Sequence, residues 1–173
     1  MLVNFVKTWI KMEIDAKPSA SSRITLTQLM QIEQSNSQGN VHGGWIMKLV
    51  DEAGALACMR HAQNRVVTVA VDRMTFSQPI KIGDLVILEA EVSYVGKTSM
   101  EAEVKVFAEN PVSGTKIATN TAYLVYVALD RFGKPVEVPK LRLDSDYERE
   151  RFIEGKKRQE YRIAQMNLVK EKQ

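Results

Sequence analysis

Two acids, Asp51 and Glu52, stand in the middle of a run that is otherwise almost wholly apolar, and the polar lead into it, QSNSQGNVHGG, carries Asn36 and the glycines Gly39, Gly43 and Gly44. A carboxylate kept on an apolar helix can work as a general base or as a nucleophile. Asp51 can equally be a surface acid paired with Lys48 three residues earlier, and spacing alone supports both readings. Glu52 is the weaker candidate, because Lys48 sits four residues before it at ion-pair spacing. Asn36 alone reads as a turn residue of a polar loop. Cys58, the single cysteine, lies on an apolar helix face with no histidine at reactive spacing and reads as core. His61, beside Arg60, suits the last carbonyls of a helix. No cluster of His, Cys and acids has metal-ligand spacing, so no metal is expected.

These groups must be held by the elements around them. The glycine pair Gly43-Gly44 opens a helix predicted from about His42 to Gln63, apolar around most of its circumference, with Trp45, Leu49, Ala53, Leu56 and Arg60 along one side and Lys48 and Glu52 on a polar stripe. Such a helix is normally enclosed by other elements. A strand is predicted from Arg23, and four alternating stretches follow the helix at 66–76, 85–95, 99–109 and 116–130. In the third, Met100, Ala102, Val104, Val106 and Ala108 face one way and Glu101, Glu103, Lys105 and Glu109 the other, the pattern of a half-solvated antiparallel sheet. Short turns rich in Gly, Pro and Asn join them. The expected class is α+β, a curved antiparallel sheet wrapped around a central helix.

Outside this block, KPSASS (17–22) reads as a flexible lead-in, so residues 1–22 form an N-terminal lead, 23–141 the domain and 142–173 a charged tail. Ser145 and Glu148 have capping-box spacing, which predicts a tail helix to about Val169, solvated and lying on or beside the domain. The chain has 173 residues and a net charge of +3 from 24 basic and 21 acidic side chains, without the field that nucleic-acid binding demands. The apolar run in MLVNFVKTWI is far shorter than the ~20 residues of a membrane span and lacks the marks of a signal peptide, and a lone cysteine suits a reducing compartment. A cytoplasmic protein is expected.

The stretch Gln34–Cys58, with VVTVAVDRMTFSQPIKIGD and GKTSMEAEVKV, resembles the acyl-CoA thioesterases of the hotdog fold, in particular the cytosolic long-chain acyl-CoA hydrolases. The most specific piece is N-x-x-G-x-x-x-G-G followed seven residues later by D-E-A, matched by Asn36, Gly39, Gly43, Gly44 and then Asp51, Glu52 and Ala53; the charged ERERFIEGKKR near the C-terminus is similar as well. The resemblance implies hydrolysis of fatty acyl-CoA to free acid and coenzyme A with water and no cofactor, coenzyme A being part of substrate and product. Asp51 is then the base or nucleophile and Asn36 the amide that orients water or substrate. The backbone N–H groups near Gly43 and Gly44, at a helix N-terminus, become the oxyanion donors, where the missing Cβ lets backbone approach the carbonyl. The turn Lys97, Thr98 and Ser99 is implied to hold the nucleotide of coenzyme A, although it also reads as an ordinary hairpin turn; Lys156, Lys157 and Arg158 reach a phosphate only if the tail folds back.

A catalytic His42, as in hotdog dehydratases, is disfavoured because NVHGGW lacks the prolines of their motif. Alternatives are a thioesterase acting on acyl carrier protein and a non-catalytic acyl-CoA-binding protein of the same fold; the DNA-binding module of such regulators is missing here. The family further implies a dimer as the minimal unit, assembled as a hexamer.

Overall fold

The computed structural model describes residues 15–170; most of the N-terminal lead and the last three tail residues lie outside this range. In chain order the elements are β1 (Lys17–Pro18), β2 (Ile24–Leu29), α1 (Gly43–Ala62), β3 (Arg65–Met74), β4 (Leu85–Val95), β5 (Ser99–Glu109), β6 (Lys116–Leu129), β7 (Leu141–Arg142) and α2 (Asp146–Lys170). The five long strands form one antiparallel sheet in the order β2-β4-β5-β6-β3, and α1 packs against it as the central helix.

The alternation of β5 is realised side by side with its neighbours. Met100, Ala102, Val104, Val106 and Ala108 are all buried, with Val86, Leu88 and Val92 of β4 and Ala122, Leu124 and Tyr126 of β6, against Ile46, Leu49, Val50, Ala53 and Ala57 of α1. Small residues on α1 let it lie close to the sheet. Helix α1 starts at His42, whose Nδ1 accepts the Gly44 N–H at 2.9 Å, and stops at Gln63, which turns left-handed at φ 54° and donates its N–H to the Met59 carbonyl.

Two expectations are corrected. The lead KPSASS is packed, not flexible: β1 pairs in parallel with β7, Ser19 Oγ donates to the Val92 carbonyl at 2.6 Å, and Ser22 Oγ accepts the Val92 N–H at 2.9 Å. Small hydroxyl residues can enter a protein interior when each oxygen finds a backbone partner. The second face of β5 is not solvated at Glu101 and Glu103 either, because α2 crosses it there, while Lys105 and Glu109 stay partly exposed. Glu101 is 0% exposed, receives Ser93 Oγ at 2.8 Å and pairs with Arg158 at 2.7 Å and Arg162 at 3.4 Å. Glu103 pairs with Arg151 at 2.8 Å and accepts from Tyr123 Oη at 3.0 Å, while the Arg158 guanidinium stacks on the Tyr123 ring at 3.8 Å. An acidic stripe on a strand and a basic stripe on a helix look solvated one at a time; they neutralise one another when the elements meet. The tail helix thus lies on the domain, capped as expected by Ser145 and Glu148, whose Oε2 accepts the Ser145 N–H at 3.0 Å while Ser145 Oγ accepts the Glu148 N–H at 3.2 Å.

Removing one partner of a buried ion pair leaves the other desolvated and uncompensated, a cost of about 3–5 kcal/mol. Glu101→Ala is therefore expected to lower the unfolding free energy by about 3 kcal/mol and to loosen α2. Urea unfolding, with protease sensitivity at Lys156 and Lys157, measures both effects.

Candidate active site

Asp51 projects from the middle of α1 toward β3 and β6. Thr68 Oγ1 of β3 donates to its Oδ1 at 2.7 Å, and the Tyr126 hydroxyl of β6 reaches the Asp51 carbonyl oxygen at 2.9 Å and Oδ1 at 3.2 Å. Both hydroxyls meet the same carboxylate oxygen, and among the described residues no hydrogen bond reaches Oδ2. Lys48 pairs with Glu52 on the exposed side of the helix. The surface-acid reading therefore describes Glu52 and not Asp51, whose partners are two neutral hydroxyls. Burial, followed by the neighbouring Asp51 charge, pushes the Tyr126 phenol far above its ordinary value, so it remains a donor over the whole working range.

Neither Thr68 nor Tyr126 was singled out in the sequence. Both sit in alternating strands where Thr and Tyr are ordinary sheet residues. A faint signal exists in Gly54, a glycine inside a helix, where it costs roughly 1 kcal/mol relative to alanine. A Cβ there would stand 2.5 Å from the Tyr126 hydroxyl.

Asn36 lies in the loop before α1. Its Oδ1 accepts the N–H groups of Gln38 at 2.9 Å and Asn40 at 3.2 Å, its own N–H donates to the Asn40 carbonyl at 2.7 Å, and Gly39 closes the turn at φ 80°. The turn uses the carbonyl end of the side chain; among the described residues the Nδ2 group has no partner and can donate elsewhere. Asn36, Asn40, Gly43, Ile46, Phe76 and Pro79 are among the residues lining a cleft of about 290 Å³. A Cβ at Gly43 would meet only the Phe76 ring at an ordinary 3.5 Å, so packing within the chain does not require glycine there. At Gly44 a Cβ would stand 3.0 Å from His42 Nδ1, and the Gly44 N–H is already bonded to that nitrogen. The two glycines, expected as a pair of oxyanion donors, therefore differ: among the described residues the Gly43 N–H has no acceptor, and Gly44 is engaged by the His42 cap.

The structure brings Asp51, Thr68 and Tyr126 together, and Asn36 with Gly43, but not the two groups with each other. Asp51 does not line the Asn36 cleft. Eight residues of helix separate it from Gly43, about 12 Å along the axis.

Cys58 is buried, and burial pushes its thiol far up, away from nucleophile chemistry. His61 is not at the exposed helix end; it is buried, with Nε2 2.9 Å from the Pro139 carbonyl, and burial lowers its pKa below the ordinary histidine value. It ties α1 to the segment before β7. In the β4–β5 turn, the Lys97 carbonyl accepts the Val138 N–H at 3.1 Å and the Thr98 carbonyl accepts the Ala128 N–H at 3.0 Å, while the Ser99 carbonyl accepts the Gly96 N–H at 2.8 Å. The Lys97 side chain is 79% exposed and lies 3.2 Å from Glu137. Arg158 is engaged with Glu101 and stacked on Tyr123, with part of its side chain still exposed. Among the described residues no three His, Cys, Asp or Glu side chains gather as a metal site, and no helix is long and apolar enough to cross a membrane.

The profile of the thioesterase superfamily matches residues 38–115. The chain is 35% identical over 120 residues to an uncharacterized acyl-CoA thioester hydrolase, YkhA, of Bacillus subtilis (strain 168), covering 69% of this chain and 70% of that protein. It is 41% identical over 124 residues to the cytosolic acyl coenzyme A thioester hydrolase of Mus musculus, covering 67% of this chain and 32% of that protein. The chain thus spans about a third of the length of the mammalian relatives it matches. Among solved structures it superposes on the acyl-CoA hydrolase of Staphylococcus aureus, in complex with butyryl coenzyme A, coenzyme A and coenzyme A disulfide, with a TM-score of 0.82 and 31% identity over 90% of this chain and 95% of that one. That hydrolase is also solved with an aspartate, an asparagine or a threonine replaced by alanine, and other solved neighbours are hexameric acyl-CoA thioesterases. The chain belongs to the thioesterase superfamily of the hotdog fold, in the branch that holds the acyl-CoA thioester hydrolases.

Proposed function

We propose that this protein hydrolyses fatty acyl-CoA thioesters to free fatty acid and coenzyme A in the cytoplasm. The observation that carries the reading is the Asp51 carboxylate, held through one oxygen by Thr68 and Tyr126 with the other left open, on a helix whose charged neighbours pair with each other. A thioester needs no activation of its leaving group, because a thiolate departs more readily than an amine, so a base or nucleophile and an oxyanion site suffice. Asp51 takes the proton of an attacking water, or attacks the carbonyl itself and is released by water; either way the C–S bond breaks and coenzyme A leaves as the thiolate, which takes up a proton. Asn36 Nδ2 positions water or substrate, and the N–H at Gly43 faces the oxygen that gains charge. No cofactor takes part.

The asparagine, aspartate and threonine replaced in the S. aureus hydrolase follow one another at intervals of 15 and 17 residues, as Asn36, Asp51 and Thr68 do here. This supports a common use of the three.

The two halves of the site lie too far apart in one chain, so each site is assembled from two. Strand β3 ends the sheet, and its Val67, Val69 and Val71 are 44–55% exposed; Met47, Leu56 and Met59 of α1 are exposed as well. An open, apolar strand edge favours pairing with another chain. A two-fold axis there makes a dimer with antiparallel central helices, and three such dimers give a hexamer like those of the solved neighbours. In that assembly Met47, Met74 and Phe76 set the depth of the acyl tunnel.

The turn Lys97, Thr98 and Ser99 holds the nucleotide. Met100 is paired with Tyr126 across the sheet, which puts this turn at the Asp51 end of β5, within reach of a long pantetheine arm. The Glu137 pairing of Lys97 is a surface contact of little energy and does not hold the ammonium back. Lys97→Ala is expected to raise KM for acyl-CoA a few-fold with kcat nearly unchanged, since a distant phosphate contact binds ground and transition states alike. The effect disappears with an acyl-pantetheine substrate, and an unchanged KM makes the turn structural. The activity itself is tested by following thiol release from a chain-length panel of acyl-CoAs beside acyl carrier protein; absence of turnover on all of them sinks the reading.

A further inference from the structure

Resting on the proposed reading of Asp51, we infer that Tyr126 is a positioning residue for the reaction, with Gly54 as the gap that admits it. Tyr126 is 0% exposed and stands on β6 between Leu124 and Ala128, so its ring is fixed on all sides by core side chains. The hydroxyl has one hydrogen and two acceptors in reach, the Asp51 carbonyl oxygen at 2.9 Å and Oδ1 at 3.2 Å. Shared between them, that hydrogen ties the carboxylate to the backbone of the residue that carries it and so restrains rotation about the Asp51 side-chain bonds. Thr68 holds the same oxygen from the other side at 2.7 Å. Together the two donors saturate Oδ1 and leave Oδ2, the outer oxygen, as the one that can meet water or thioester. A carboxylate with both oxygens free would distribute its approach over several rotamers; preorganisation of the reacting group is what such a clamp supplies.

The position is made by a glycine. A Cβ at residue 54 would lie 2.5 Å from the Tyr126 hydroxyl and 3.1 Å from two ring carbons, so no other residue lets the phenol reach the helix backbone there. A tyrosine that served only to fill the core would not need its oxygen against a helix, and a helix interior gains from alanine in place of glycine. The charged or titratable groups around Asp51 are few: β6 presents the Tyr126 phenol and β3 the neutral Thr68 hydroxyl, while on α1 Lys48 and Glu52 pair with each other and Cys58 is buried two turns on.

The test compares Tyr126→Phe, Gly54→Ala, the double variant and Asp51→Asn in the full chain, measuring kcat and KM for a fatty acyl-CoA by thiol release, with thermal unfolding to verify the fold. Tyr126→Phe removes one oxygen atom. It is expected to lower kcat about tenfold, the usual weight of one hydrogen bond to a charged group, with KM within about twofold. Gly54→Ala should lose at least as much, and adding Tyr126→Phe to it should cost little further, because the clamp is already displaced. A folded Tyr126→Phe with parental kcat and KM, beside an inactive Asp51→Asn, overturns the inference and leaves the catalytic reading standing. Loss of the fold in Tyr126→Phe also overturns it, making the hydroxyl a core bond only. If Asp51→Asn turns over like the parent, the catalytic reading falls and the inference with it.

Discussion

Asp51→Asn is expected to lower the turnover of a long-chain acyl-CoA by about 10²-fold or more while leaving the fold intact, the usual weight of a positioned general base. The amide is the same shape as the carboxylate and still accepts the Thr68 and Tyr126 hydroxyls through its carbonyl oxygen, so the environment described above survives. What it cannot do is take a proton from water or attack a carbonyl. Glu52→Gln is the matched control. Glu52 is half-exposed and bound to Lys48, an i,i+4 surface pair worth about 0.3–0.5 kcal/mol, so this change should leave turnover close to the parent. Steady-state thiol release with both variants decides the matter: activity of Asp51→Asn within threefold of the parent, on a folded protein, removes Asp51 from the chemistry. A similar loss in both variants would mean that the helix, and not one carboxylate, had been disturbed.

The second large effect is a gain. Asn36→Ala and Asp51→Ala subunits, each inactive alone, are expected to recover up to about a quarter of parental activity when mixed equally and exchanged by unfolding and refolding. The reason is the axial distance of about 12 Å between Gly43 and Asp51 on one rigid helix. One thioester carbonyl cannot touch both, and Asn36 is on the Gly43 side. If the central helices of two chains run antiparallel across a two-fold axis, the Asn36 cleft of one protomer faces Asp51 of the partner subunit. Random exchange makes about half of the dimers mixed, and each mixed dimer has one site with both residues intact and one with neither. Exchange is verified by mass or by differential tags. Confirmed exchange with no activity above the separate variants would mean that both residues serve one chain, and the shared site would be wrong.

Much of the architecture was legible before any coordinates. The strands read at 85–95 and 99–109 agree with β4 and β5 residue for residue, and the helix read at 42–63 is α1 with its two caps. These signals are local: alternation, helical periodicity and glycine punctuation depend on neighbours along the chain. Asn36, Gly43, Gly44 and Asp51 also stood out in the sequence because a spaced motif is a local property. Their environment was not visible. Thr68 lies 17 residues from Asp51 and Tyr126 lies 75 away, and only the pairing of β3 and β6 over α1 makes them its hydrogen-bond donors.

The same limit explains the acids of β5 and the serines of the lead. Glu101 and Glu103 alternate with apolar residues as solvent-facing groups do, and Arg151, Arg158 and Arg162 look solvated on a helix that is polar overall; the sequence alone determined both stripes but not that they meet. Whether a charge is exposed or buried depends on whether an opposite charge can be brought to it, which is a property of two elements at once. Ser19 and Ser22 likewise read as flexible until Val92 supplied their backbone partners. The chain by itself determined which segments are strands and helices and which residues carry the motif. The tertiary structure decided which oxygen of Asp51 is held and which is open, which glycine N–H remains free, and that the two halves of the site stand apart, because those depend on distances between residues that sequence order does not set.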